Sequence, residues 1–92
     1  MALSGQKTVA AAGTAEALGD QVINGPLMVK GLIGNGGNVF IGNDGAGDVT
    51  SANGLELAAG DAVVFDSVGN LASLWVDSAV NGEGVSWIML DV

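Results

Sequence analysis

Short runs of apolar and β-branched residues alternate along the whole chain with clusters of Gly, Asn and Asp. Brief strands separated by tight turns give this spacing, which is that of a β-sandwich or barrel. The runs predict about eight strands, at Lys7–Ala11, Thr14–Leu18, Leu27–Ile33, Asn38–Gly42, Leu55–Leu57, Ala62–Ser67, Leu71–Asp77 and Val85–Val92. Eight short strands suit two packed antiparallel sheets, so the expected fold is an all-β sandwich. The stretch Val9–Leu18 also carries helix-favouring alanines, with Thr14 as a cap and Gly19 as a stop. About five residues is too short for a stable helix and Gly13 interrupts a longer one, so strand, turn, strand is the expectation.

The connections carry turn chemistry. Asn35-Gly36-Gly37-Asn38 offers residues that tolerate positive φ and predicts a tight hairpin. Asn53-Gly54, Ala59-Gly60-Asp61, Gly69-Asn70 and Asn81-Gly82 give similar signals, and Pro26 opens the third strand where a missing N–H does no harm. No repeat or linker divides the chain, so residues 1–92 are read as one sandwich domain, with Met1–Gln6 as a flexible N-terminal arm that orders on docking.

The last two strands are apolar on both parities. Leu71 and Trp75 alternate with Ala72, Leu74 and Val76; Val85, Trp87 and Met89 alternate with Ile88, Leu90 and Val92. A sandwich strand normally turns one polar face to water, so something must cover the outer face. A loop of the same chain is one candidate, and a protein partner or a second copy is the favoured one, because exposed apolar patches mark interfaces. Leu74, Trp75, Trp87 and Met89 are expected to be divided between core and interface, with register deciding which goes where.

Composition narrows the function classes. Ten acidic residues stand against Lys7 and Lys30, a net charge of -8, which removes the counterion-release term that nucleic-acid binding needs and any polybasic membrane anchor. Apolar residues make up 49% of the chain, which argues against disorder; yet no apolar run approaches the roughly 20 residues of a membrane span, and no secretory leader is evident. The chain has no Cys, so neither a disulfide nor a thiolate metal site supplements a modest core, and oligomerisation is the remaining source of added stability. The near absence of Lys also leaves strand edges without their commonest guard.

Enzymatic chemistry is poorly provided for. His, Cys and Tyr are missing, and carboxylate pairs such as Asp44 with Asp48 or Asp61 with Asp66 need a cleft that so small a chain hardly builds, so a non-enzymatic role is expected. The segment Gly42–Gly54 gathers oxygen ligands but lacks the alternation and closing Glu of an EF-hand, and Gly34–Gly37 lacks the Lys-Ser/Thr of a phosphate loop. No metal or cofactor is expected. The two tryptophans are read as packing residues rather than as a glycan platform.

The order of motifs resembles small jelly-roll-like β-sandwich proteins of tailed-bacteriophage virions, most of all head decoration or cement proteins. The elements that carry the resemblance are Ala12–Leu18, Leu27–Ile33, Gly37–Gly42, Asn53–Asp61, and the strand pair from Leu74–Asp77 through Asn81–Trp87 to Val92. The resemblance implies a virion component made in the bacterial host cytoplasm and placed on the capsid surface. It would be a homo-oligomer, with a trimer favoured, bound to the major capsid protein. A head-fibre, tail or baseplate module engaging a host surface, or a small glycan-binding sandwich, is the alternative. The lack of a coiled-coil stem or repeated shaft between Met1 and Val92 favours a stand-alone decoration protein.

Overall fold

A computed structural model of the chain describes residues 3–43 and 49–89. Eight strands run in chain order: β1 (Leu3–Thr8), β2 (Glu16–Ala17), β3 (Leu27–Gly31), β4 (Val39–Gly42), β5 (Leu55–Leu57), β6 (Ala62–Phe65), β7 (Trp75–Ser78) and β8 (Gly84–Met89), with a 3-10 turn at Leu71–Ser73. They form two four-stranded sheets, β1-β8-β3-β6 and β2-β7-β4-β5. Every pairing is antiparallel.

The order has a simple origin. β1 pairs with β8, β2 with β7, β3 with β6 and β4 with β5, as in one long hairpin whose apex is the β4–β5 connection. Rolling that hairpin up adds the contacts of β3 with β8 and β4 with β7, which join the pairs into two sheets. This is the double-sheet jelly roll, an antiparallel β-sandwich.

The core lies between the sheets. Leu27, Val29, Val85 and Met89 of the first sheet meet Val39, Ile41, Leu57 and Val76 of the second, and Val9, Leu18, Ile23 and Leu71 from the connections close the ends. In β3 the burial alternates strictly, with Leu27, Val29 and Gly31 inside and Met28 and Lys30 outside, as the two-residue strand period requires. Trp87 also faces inward and lies against Gly5, where a Cβ would stand 2.8 Å from its Cζ2.

Several boundaries differ from the sequence expectation. Leu3–Gln6, read as part of a flexible arm, belongs to β1 and is paired residue by residue with β8, from Leu3 opposite Met89 to Gln6 opposite Ser86. The first strand therefore shares only Lys7 and Thr8 with the expected Lys7–Ala11; Met1 and Ala2 lie outside the described residues. The run from Leu71 splits into a 3-10 turn and β7, because the Asn70 side chain accepts from the Ala72 N–H at 2.9 Å and caps the turn. The Asn35–Asn38 segment is a crossover between sheets rather than a hairpin. It needs no positive φ, which is confined to Gly13, Gly60, Gly69 and Gly82 among the described residues. Two side chains shape it: the Glu83 carboxylate accepts from the N–H groups of Gly36 at 2.6 Å and Gly37 at 3.0 Å, and the Asn35 amide both donates to the Gly84 carbonyl and accepts from the Gly84 N–H.

On one open side of the sandwich, edge strands β1 and β2 are tied by Lys7 and Glu16, 3.0 Å apart. The Ala10 N–H, donating at 2.9 Å, and the Lys7 ammonium together hold the Glu16 carboxyl below its usual range. A depressed folded-state pKa stabilises the fold above the unfolded value of 4.5, and the contribution disappears as pH falls through the lower folded value. Glu16→Gln is expected to lower stability at pH 7 by under about 1 kcal/mol, since the pair is partly exposed, and to make no difference near pH 2. Urea unfolding midpoints of both proteins at the two pH values check this.

Candidate interaction face

The two outer faces of the sandwich are treated differently. On the second sheet, Phe40, Trp75 and Asp77 point outward, opposite in parity to core residues Val39, Ile41 and Val76. The chain covers them itself. Phe40 is buried, and the Gly54 backbone lies so close that a Cβ there would be 2.7 Å from the Phe40 Cβ and 2.8 Å from Val49 Cγ2. Asp77 is buried as well, accepting from the N–H groups of Gly13 at 2.9 Å and Ser78 at 2.8 Å, which docks the β1–β2 connection onto this face. Nearby, the Ala12 N–H donates to the Asn81 side chain at 2.8 Å. The apolar second parity of β7 is thus explained within one chain.

Among the described residues, no such cover lies over the first sheet. Its outer face presents two cross-strand rows: Ser4, Ile88, Met28 and Val64, then Gln6, Ser86, Lys30 and Ala62. Ile88, Met28 and Val64 are 41%, 42% and 54% exposed on three adjacent strands, an apolar strip about 10 Å across at the usual strand spacing. The other exposed large apolar residues, Val22, Ile33, Leu55 and Val80, lie apart on connections and on β5. Scattered singly, such residues are ordinary surface; a strip across a sheet is not.

Charge follows the same division. Among the described residues, these two rows contain no carboxylate although the chain has ten acidic residues, and the charged group they hold is the exposed Lys30. Lys30 makes no ion pair among the described residues. Asp61 and Asp66 stand just beyond the two ends of β6, Asp20 lies on the β2–β3 connection, and Glu16, Glu56, Asp77 and Glu83 belong to the second sheet or to the loop before β8. Among the described residues, the acidic side chains thus lie off these two rows, which lowers the repulsion that another acidic molecule meets there.

The residues singled out from sequence are not brought together. Met89 is buried in the core, and Leu74 and Trp87 pack against it partly buried. Trp75 lies half-buried on the opposite sheet, its Nε1–H donating to the Ala72 carbonyl at 3.0 Å. The Trp87 Nε1–H is buried without an acceptor. The exposed strip instead uses Met28, Val64 and Ile88. Their signal in the sequence was the alternation around them: each sits between two inward apolar neighbours, and Ile88 was already assigned to the parity opposite Trp87. Leu90 and Val92, its companions on that parity, lie outside the described residues.

Asp61 and Asp66 are at opposite ends of β6, and Asp61 is occupied in accepting from the Ala58 N–H at 3.1 Å. Asp44 and Asp48 lie outside the described residues, as does the middle of the Gly42–Gly54 segment. Among the described residues there is no pocket and no group of acidic side chains close enough to hold a metal ion. No protein-family model, curated protein or solved structure matches the chain.

Proposed function

We propose that this chain is a non-enzymatic structural protein that works by seating the outer face of its first sheet in a protein assembly, and that the assembly is a tailed-bacteriophage capsid decorated by it. The observation that carries the reading is the apolar, carboxylate-free strip of Ile88, Met28 and Val64 on a molecule of net charge -8. The motif resemblance supplies the capsid, and the jelly-roll strand order agrees with the architecture that the resemblance implies. Many copies of a small contact add through multivalency, so a modest strip is sufficient on a repeating shell. A glycan platform is less well supported, because Trp87 faces inward over Gly5 and the Trp75 indole N–H is engaged by its own backbone.

The purified chain is expected to cosediment with capsids of the virus that encodes it. Ile88→Asp, at an exposed position, should keep the melting transition within a few degrees while reducing particle binding at least tenfold. Wild-type protein that ignores such particles, or an Ile88→Asp variant that binds them as wild type does, overturns the proposal.

A further inference from the structure

The face just described has its own internal complementarity. Met28 lies in the central row, with Lys30 one row to one side. The β3–β6 ladder ends at the Leu27–Phe65 pair, and the alternation of exposed with less exposed positions continues one residue past it to Pro26 and Asp66, both exposed, on the other side of the strip. The face therefore runs from cation through apolar strip to carboxylate along the strand direction.

We propose that a second copy of this chain covers this face, related by a twofold axis that lies along the Ser4–Ile88–Met28–Val64 row. The inference rests on the assembly role proposed above and names the molecule seated on this face within that assembly as a neighbouring copy of the chain, not the shell itself. Rotation about that axis stacks Met28, Ile88 and Val64 on their own copies and turns the Lys30 side of each molecule over the Asp66 side of the other. Two packed sheets sit about 10 Å apart and rotated by about 30°, a separation that outward Lys and Asp side chains span. The axis gives two Lys30–Asp66 pairs per dimer, and both molecules keep the rest of their described carboxylates away from the contact.

Area sets the strength. Four strands at about 4.8 Å and two to three side-chain rows give a face of roughly 300 Å² per molecule, well below the approximately 800 Å² per partner of a standard interface. The dimer is therefore weak in dilute solution, with a dissociation constant on the order of 0.1 mM. It becomes effective when both members are held on a lattice. The contact is twofold, which differs from the trimer implied by the resemblance.

Sedimentation equilibrium of the whole chain from about 10 μM to 1 mM tests the proposal, bracketing that dissociation constant. The wild-type mass should rise toward twice 9.0 kDa. Lys30→Asp and Asp66→Lys each replace two attractions by two repulsions and should weaken association about tenfold. An equimolar mixture of the two variants should recover the wild-type association, since both cross-pairs are then attractive. Both substitutions are at exposed positions, and Met28→Asp should abolish the dimer independently. A monomer at 1 mM, a trimer, or a variant mixture that associates no better than its components overturns the proposal. If the chain stays monomeric while Ile88→Asp still releases it from particles, the face seats on the shell directly: the second-copy inference fails and the assembly role stands. Loss of neither property in Ile88→Asp defeats both.

Discussion

Gly84→Ala is expected to lower the unfolding free energy by about 3 kcal/mol, enough to leave a domain of this size marginally folded. Gly84 opens β8 opposite Thr8 at the end of the β1–β8 ladder. A Cβ there would overlap the Lys7 carbonyl oxygen and stand 2.7 Å from the Thr8 Cα, and both obstacles are backbone, so no rotamer change relieves them. Moving either strand also disturbs the Leu32 N–H donating to the Gly84 carbonyl at 3.1 Å and the two bonds between Gly84 and the Asn35 amide. The gain from reducing unfolded-state freedom, under about 1 kcal/mol, does not offset this. Gly34→Ala is the control, because a Cβ at Gly34 meets nothing within 4 Å and its φ is not in the left-handed region. Urea denaturation should find Gly34→Ala neutral or slightly stabilised. Equal midpoints for the two variants would contradict the close approach of β1 to β8.

Asp77→Ala is expected to cost about 3 kcal/mol through a different mechanism. The Asp77 carboxylate is buried on the outer face of the second sheet and accepts two backbone N–H groups, from Gly13 and Ser78, through the same oxygen. Alanine removes the acceptor of both bonds, leaving the buried Ser78 N–H without this acceptor while the exposed Gly13 turns to water, and hydrogen bonds to a charged acceptor are worth about 1.5–3 kcal/mol each. The β1–β2 connection then loses an anchor on β7, and amide exchange at Gly13 should accelerate with the global loss of stability. Asp77→Asn retains an acceptor oxygen of similar shape and should lose about half as much. Measurement of all three proteins in urea separates the anchoring bonds from the packing of the side chain; an alanine variant within 0.5 kcal/mol of wild type, a typical surface value, would refute the assignment.

The fold class was legible because burial alternates with period two in the strands that matter most. Leu55–Leu57 appears at the expected bounds, and Leu27–Gly31, Val39–Gly42 and Ala62–Phe65 lie inside theirs. β1 was hidden because Leu-Ser-Gly-Gln-Lys-Thr has little β-propensity of its own; it becomes a strand only because β8 offers a free edge across the whole chain length. The double-sided apolar pattern was read as a need for cover with a partner favoured, and sequence could not show the division between faces the chain covers itself, as on β7, and faces it leaves open. That division depends on where the β1–β2 and β4–β5 connections fold back, as the contacts at Asp77 and Gly54 reveal. Lys30 and Asp66 are thirty-six positions apart in sequence number, and only the β3–β6 register brings Lys30 beside Ala62, four residues before Asp66.

The rolled-hairpin order also dictates a timetable for folding. The β4–β5 pair closes a short loop, whereas Leu3 must find Met89 across nearly the whole chain, and each doubling of loop length adds about 0.6 kcal/mol of closure entropy. Sandwiches dominated by such distant pairings fold in milliseconds to seconds. β1 closes the longest separation and is expected to dock late, on a sheet whose strands β8, β3 and β6 pair across shorter ones. Until it does, the edge of β8 is an open template, and in a crowded cell the β1 of a neighbouring molecule fits it as well as the molecule's own, so strand exchange between chains competes with the final step of folding.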